Sequence, residues 1–551
     1  MIVKADECVV DTHRSEVISL NGTRYFCVGF IYSPGHRAGT DSVRFVAQHF
    51  ERTGTVPFSQ LRGSFSMFIV SDDHVLAFAD NSGLSTVFVH KHLISDRFLP
   101  LIQQLASTEG ELEFDWVAVA QTYAIGRVLS ERTVIDSVTM LDKYHYVEVR
   151  GGRIQIHHKG ISDIDATPSD FSPTAFFDSL ATALADTRIS CALTGGYDSR
   201  LVFTFLSNRA PVQPTLSGDI PDTSEARVGA RVAEAAGTKL NFVNTPKPTI
   251  DQDMLERLFW DQDGAAGFSS DSAIRLFDFY AKLQSQGHEM HFTGDGGVLH
   301  KDWEWIQDFP FYQRKKTNLE RFYEHRLGFN FDARGAGPAI ERTSRTMRTD
   351  TLARLRRYLM RTNTQSYDML YYHVNGRRTV YYNPDRHGLR LYAPLLEHDF
   401  VAYSYSLPRF QRFFNNSIRS MTTAQQARIA RIPTVYGTTA SSEARYVFRD
   451  VLFQVVDYGR RATRLLGRKL LGRTPMLEPV ISWSAEADLR LLPLAVEAVK
   501  YCRDIGVVSS EESLETLSRQ HIDAAIQIFF VGRVAGLARP SPRTGIESDR
   551  A

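Results

Sequence analysis

The sequence predicts an α+β domain rich in strands, then an α/β domain built on a parallel sheet, then a helical C-terminal region. Three observations carry this. Strand-like apolar runs joined by short polar turns fill residues 1–160. From Phe176 onward, short apolar strands alternate with helical segments. Beyond Val298 the pattern is mostly helical.

In the first region, Tyr25 to Tyr32 reads as a strand. Phe65 to Val70 and Val75 to Ala79 flank Ser71-Asp72-Asp73-His74 and read as a hairpin, and Thr86 to His90 adds a further strand. Tyr144 to Val149 and Arg153 to Ile156 flank Gly151-Gly152, a second hairpin signal. Asp163 to Phe171, rich in Asp, Ser and Pro, reads as a linker. Ile189 to Leu193 is a short buried-strand pattern, with Val212 to Ser217 and Leu240 to Val243 as the next two strands. Thr223 to Ala236 is a helix with Thr223 or Ser224 as cap and Gly237 as stop. A helix over Asp271 to Gln286 leads to a strand at Glu289 to Thr293. Asn318 to Arg326 and Asp350 to Tyr372 are charged and amphipathic.

Composition excludes several classes. With 551 residues and 43% hydrophobic content, the chain supports two or three domains with cores. The formal net charge of +1 gives no global field for nucleic acid or a membrane surface. The four cysteines, Cys8, Cys27, Cys191 and Cys502, are scattered and form no zinc or disulfide pattern. The first residues lack the apolar core of a signal peptide, and no run approaches the ~20 apolar residues of a membrane span. A cytoplasmic location is the expectation. The basic stretch from Gly459 to Arg473 reads either as a solvated helix face, a docking face for acidic protein, or a membrane-surface segment.

Chemistry concentrates at Thr194-Gly195-Gly196-Tyr197-Asp198-Ser199. A strand, a glycine turn and a helix start place backbone amides and the helix dipole where an anion such as a phosphate chain is favoured. Asp198 reads as a helix cap or as a ligand for Mg²⁺ shared with phosphate. A second glycine turn, Gly294-Asp295-Gly296-Gly297, also follows a predicted strand and reads as a simple turn or a ligand-facing loop. Both lie where ligands of parallel sheets bind.

The first turn resembles the S-G-G-x-D-S loop of ATP pyrophosphatases, and further segments narrow the resemblance to the asparagine-synthetase-like family. Leu61-Arg62-Gly63-Ser64-Phe65-Ser66-Met67-Phe68 and Ala79-Asp80-Asn81-Ser82-Gly83 resemble its N-terminal L-x-G-x-F-A-F and R-D-x-x-G segments. Ser224-Glu225 with Ala233 to Gly237, Gly294 to Gly297, and Tyr392 to Asp399 followed by Ser406-Leu407-Pro408 resemble successive synthetase segments. The resemblance implies a glutaminase-like domain of the N-terminal nucleophile-hydrolase type over 1–160, an ATP-pyrophosphatase domain over 171–440 and a helical, partly basic extension over 441–551. It implies an ATP-dependent, amide-forming ligase that adenylates a carboxylate, releases pyrophosphate and passes the acyl group to an amine, leaving AMP. Its partners would be a small-molecule or peptide carboxylate and an amine, without nucleic acid; a homodimer is compatible with it. By the same resemblance Thr194, Gly195, Gly196, Ser199 and Gly294 hold ATP, Leu193 and Leu216 border the adenine, and Asp198 holds Mg²⁺.

Three departures follow. Ile2 stands where glutamine-hydrolysing members carry a cysteine after Met1, which predicts loss of glutaminase activity, as in lasso-peptide cyclases and β-lactam synthetases. Val298 stands where the family has a second acidic metal ligand, leaving Asp295 three residues earlier and Asp302 four later. No lysine follows the Pro394 segment near Pro433; Arg431 is its electrostatic substitute or a structural arginine. Asp295 and Arg431 are the catalytic candidates. Glu397 and Asp399 read as helix-start or interface groups. A nucleotide-binding scaffold with weakened catalysis is the alternative to a ligase, whereas tRNA thiolation is disfavoured by the lack of paired cysteines.

Overall fold

The computed structural model describes residues 2–4, 10–11, 16–161, 164, 171–246, 250–264, 271–301, 317–323, 335–370, 372–373, 389–453, 455–456 and 489–537, apart from 73, 92, 111, 130, 361 and 362. Most of the Asp163–Phe171 linker, the 459–473 basic stretch, Cys8 and Asp302 lie outside the described residues.

The N-terminal strands are β1 (Ile2–Lys4), β2 (Val10–Asp11), β3 (Glu16–Leu20), β4 (Thr23–Tyr32), β5 (Arg62–Val70), β6 (His74–Ala79), β7 (Phe88–Val89), β8 (Leu93–Ser95), β9 (Thr139–Met140), β10 (His145–Arg150) and β11 (Arg153–His158). They form two antiparallel sheets, ordered β2-β1-β8-β7-β9 and β11-β10-β6-β5-β4-β3. Period-two alternation gives β4 to β6 two apolar faces. Phe26, Phe68 and Ala77 share a core with Val89 and Ile94 of the other sheet. Tyr25, Cys27, Met67 and Phe78 pack with Val43, Val46 and Ala47 of the helix Thr40–Thr53. On the far side of the small sheet, Phe88 and Leu93 meet the helices Phe98–Thr108 and Trp116–Ile125. The layers therefore run helix, sheet, sheet, helix.

Both expected hairpins form, pairing Val70 with Val75 and Arg150 with Arg153. Gly151 and Gly152 have φ of 55° and 73°, the left-handed turn that only glycine adopts freely. The strand expected over Thr86 to His90 shrinks to Phe88–Val89.

The second sheet system is parallel: β12 (Ile189–Ala192), β13 (Val212–Gly218), β14 (Asn241–Asn244), β15 (Met290–Phe292) and β16 (Arg390–Tyr392), in the order β14-β13-β12-β15-β16. Helices Pro173–Ala183, Asp198–Ser207 and Ser224–Ala235 supply Phe177, Leu201, Phe205 and Val232 to its core. Thr223 caps the last of these through Ala226 N–H at 3.1 Å, as the sequence indicates. The amphipathic 350–372 segment divides: one helix, Pro338–Leu355, ends before Leu359 turns extended, and Asn363–Leu370 begins a second. The amide of Met360 is taken by Ser366 Oγ at 2.9 Å instead of by a helical carbonyl. The C-terminal helices Pro493–Asp504 and Arg519–Val534 return to the N-terminal region, where Ala498, Ile522 and Phe530 share a core with Leu101, Ile102 and Val119.

The two sheet systems meet along a seam where Phe30 packs against Tyr392, with ring centroids 5.3 Å apart and ring planes tilted by 56°. Glu397 and Asp399, at the start of the helix His398–Ser406, are interface groups there. Asp399 pairs with Arg62 at 2.5 Å. Glu397 accepts from Ser82 Oγ at 3.1 Å, Gly63 N–H at 3.3 Å and Tyr392 Oη at 2.5 Å. Burial pushes its carboxyl up from 4.5 to about 7, against the lowering effects of the Tyr392 hydroxyl and Arg62. The folded chain thus holds this proton more tightly than the unfolded chain does. Its contribution to stability is complete below pH 4.5 and is lost as pH rises to about 7, on the order of 3 kcal/mol. Glu397→Gln, neutral throughout, should therefore melt higher relative to wild type at pH 8 than at pH 5. A pH-independent difference in melting temperature would show that Arg62 keeps Glu397 ionised.

Candidate functional site

The carboxyl edge of the parallel sheet holds both glycine turns. The first, Thr194 to Tyr197, links β12 to the ten-residue helix Asp198–Ser207. That helix has no side-chain cap at its N-terminus, so Asp198 is not a cap. Ser199 Oγ accepts Thr194 N–H at 3.0 Å and bonds Thr194 Oγ1 at 2.8 Å, which tightens the turn around two hydroxyls. Leu193 and Leu216 have buried side chains; Leu193 N–H donates to Thr215 O at 2.8 Å. Leu193 directly follows β12, whereas Leu216 lies inside β13, paired with Phe242 two residues before that strand ends at Gly218.

The second turn lies directly on the first. A Cβ on Gly294 would stand 2.4 Å from Ser199 N, and one on Gly297 would stand 2.0 Å from Asp198 Cγ. Only glycine permits that approach. Thr293 Oγ1 donates to Asp295 Oδ2 at 2.9 Å, and Asp295 is exposed on the loop. The structure thus brings Thr194, Gly195, Gly196, Asp198, Ser199 and Gly294 to one corner.

A third segment closes over the glycines. Val435 N–H donates to Gly195 O at 3.0 Å, and a Cβ on Gly195 would meet Val435 Cγ1 at 2.1 Å. Buried Arg200 holds this segment from below, donating to Ile432 O at 2.5 Å, Pro433 O at 3.3 Å and Ile429 O at 3.4 Å. Arg419 and Asp450 hold it from behind as a fully buried pair at 2.9 Å. Asp450 also accepts from Thr439 N–H at 2.8 Å and Thr439 Oγ1 at 2.7 Å, while Arg419 reaches Tyr197 Oη at 3.3 Å. Tyr436 sits at the exposed tip of this segment.

Arg431 is placed differently from the rest. Its exposed guanidinium is held by Glu443, with Nε 2.8 Å from Oε1. The expected metal ligand also has a different partner: both oxygens of Asp198 accept from Lys301 Nζ, each at 2.9 Å. Val298 packs partly buried against the core. Among the described residues no group of three or more His, Cys, Asp or Glu side chains is arranged to hold a metal ion. Asp198 is engaged by an ammonium, so Mg²⁺ there would have to displace Lys301 and draw its remaining oxygens from phosphate and water.

Lys301, Arg200 and Tyr436 were not singled out from the sequence. None left a local signal there; the structure shows that Lys301 follows the 3₁₀ turn Gly297–His300 and comes back to the face that Gly297 presents to Asp198.

A glycine turn and helix start at the edge of a parallel sheet, closed by a second glycine turn, define an ATP-pyrophosphatase type of nucleotide domain. Residues 175–431 match the asparagine synthase family model, and this span is an asparagine synthase domain, of a family of ATP-dependent adenylating ligases. No curated protein matches the chain. No helix among the described residues is long and apolar enough to cross a membrane.

The contacts separate two kinds of glycine. Gly294→Ala should cost about 3 kcal/mol or more, since a clash with backbone cannot be relieved by a rotamer change. Gly196→Ala, whose Cβ would meet nothing nearer than Thr194 Oγ1 at 3.6 Å, should leave the melting temperature unchanged. Equal melting temperatures for both variants would contradict the close approach.

Proposed function

We propose that the chain is an ATP-dependent carbon–nitrogen ligase of the asparagine synthetase type, acting without glutamine hydrolysis of its own. The observation that carries this reading is the seating of the Gly294 turn on the Asp198–Ser199 backbone, at the end of the Thr194–Ser199 turn and inside the asparagine synthase span. A carboxylate oxygen of the acid would attack the α-phosphorus of ATP, and pyrophosphate would leave. An amine nitrogen would then attack the acyl carbon, lose a proton, and release AMP. The turn amides and the hydroxyls of Thr194 and Ser199 would hold the pyrophosphate. Leu193 and Leu216 would border the adenine through their backbones. Asp295, exposed beside this corner, would meet the acid or the amine. The layered sheets before residue 160 would be the nucleophile-hydrolase-like domain, retained as a scaffold; Cys27 is buried within β4 and offers no accessible thiol.

The second reading, a nucleotide-binding scaffold with impaired catalysis, draws support from the Arg431–Glu443 pair. It leaves the segment near Pro433 without a cation directed by any described contact at the glycine turn. ATP–pyrophosphate exchange with a panel of candidate acids distinguishes the two. A ligase should incorporate labelled pyrophosphate into ATP with one of them, and Ser199→Ala should lower that rate by about 10- to 100-fold. ATP binding with no exchange for any acid would favour the scaffold.

A further inference from the structure

We infer that Lys301 is the resident counter-cation of the phosphate turn, so that polyphosphate binds there without a divalent ion at Asp198. This rests on the nucleotide-binding reading above and deepens it. Asp198 sits in the first turn of a helix whose N-terminus faces the glycine loop. An ionised carboxylate there would repel a phosphate chain, and cancelling its charge requires a cation. The chain supplies one: Lys301 Nζ lies 2.9 Å from both Asp198 oxygens, and the lysine side chain is only 11% exposed. The pair is neutral, so the helix N-terminus and turn amides keep their attraction for an anion.

The surroundings are consistent with a built-in cation. Gly297, at the base of the turn that carries Lys301, packs so closely on Asp198 that any side chain would displace the carboxylate. Val298, partly buried against the core, adds no oxygen ligand beside it. An ammonium needs no coordination shell of oxygens. It acts as a compact point charge with three donors and suits both a carboxylate and a phosphate oxygen.

The test is calorimetric binding of ATP and of inorganic pyrophosphate to the full chain, once in EDTA and once in Mg²⁺. Wild type should bind in EDTA within about threefold of its affinity in Mg²⁺, a difference well under the tenfold expected for loss of one charge-assisted contact. Lys301→Met should weaken binding in EDTA by about tenfold or more, while Lys301→Arg, which keeps the charge, should retain most of it. Wild-type binding that is lost in EDTA and restored by Mg²⁺ would overturn the inference and leave the nucleotide reading standing. Absence of binding in both conditions would overturn both. The wild-type comparison decides even where a variant does not fold, and unchanged EDTA binding by a folded Lys301→Met protein would also sink the proposal.

Discussion

The site depends on one steric constraint: two turns from distant parts of the chain meet with no room for a side chain between them. Gly294 and Gly297 press on Ser199 and Asp198 at distances that a Cβ would violate. Everything else at the corner follows from that contact. It fixes where the helix Asp198–Ser207 begins relative to β15, and it brings Lys301 back over the carboxylate.

The cover over this surface is held by charges buried where few side chains are charged. Arg200 is spent on carbonyl oxygens of residues 429 to 433, and Arg419 is spent on Asp450. Burial lowers Arg200 to about 10, yet it stays charged at neutral pH. Buried ion pairs add little net stability compared with an apolar replacement, but removing one partner costs about 3–5 kcal/mol. Their value here is geometric. A segment held at several carbonyls and at Thr439 has one position over Gly195, whereas apolar packing alone would let it slide.

Much of this was legible in the sequence, and the boundary is instructive. The hairpins, four of the five parallel strands and both glycine turns announce themselves through local patterns: alternation, capping residues and turn glycines; β16 does not. The return of the C-terminal helices onto Leu101, Ile102 and Val119 does not, because an amphipathic helix records that it has a partner and not which one. The same limit applied at the site. Val298 and the missing lysine near Pro433 were visible as departures from a pattern. The partner of Asp198 was not, since an ion pair between residues 198 and 301 leaves no periodic trace. Arg431 looked electrostatically suitable in sequence but lies beside Glu443, twelve positions on.

The seam and the site point to a common logic in how this chain handles charge. At the seam a carboxyl, Glu397, is buried among hydroxyl and amide donors and is held near neutrality by its surroundings. At the turn a carboxylate, Asp198, is neutralised by a neighbouring ammonium. At the seam burial favours a proton on the carboxyl, and at the partly exposed Asp198 a lysine of the chain balances the charge. A cation carried by the chain differs from a dissolved one in a way that matters for phosphate chemistry. It has a fixed position and would not depart with a leaving pyrophosphate, so the turn would regain the same charge state afterwards. It also cannot supply the multiple oxygen contacts that hold a polyphosphate in one conformation. That burden would fall on the glycine turns, whose packing at Gly294 and Gly297 leaves no room for a Cβ.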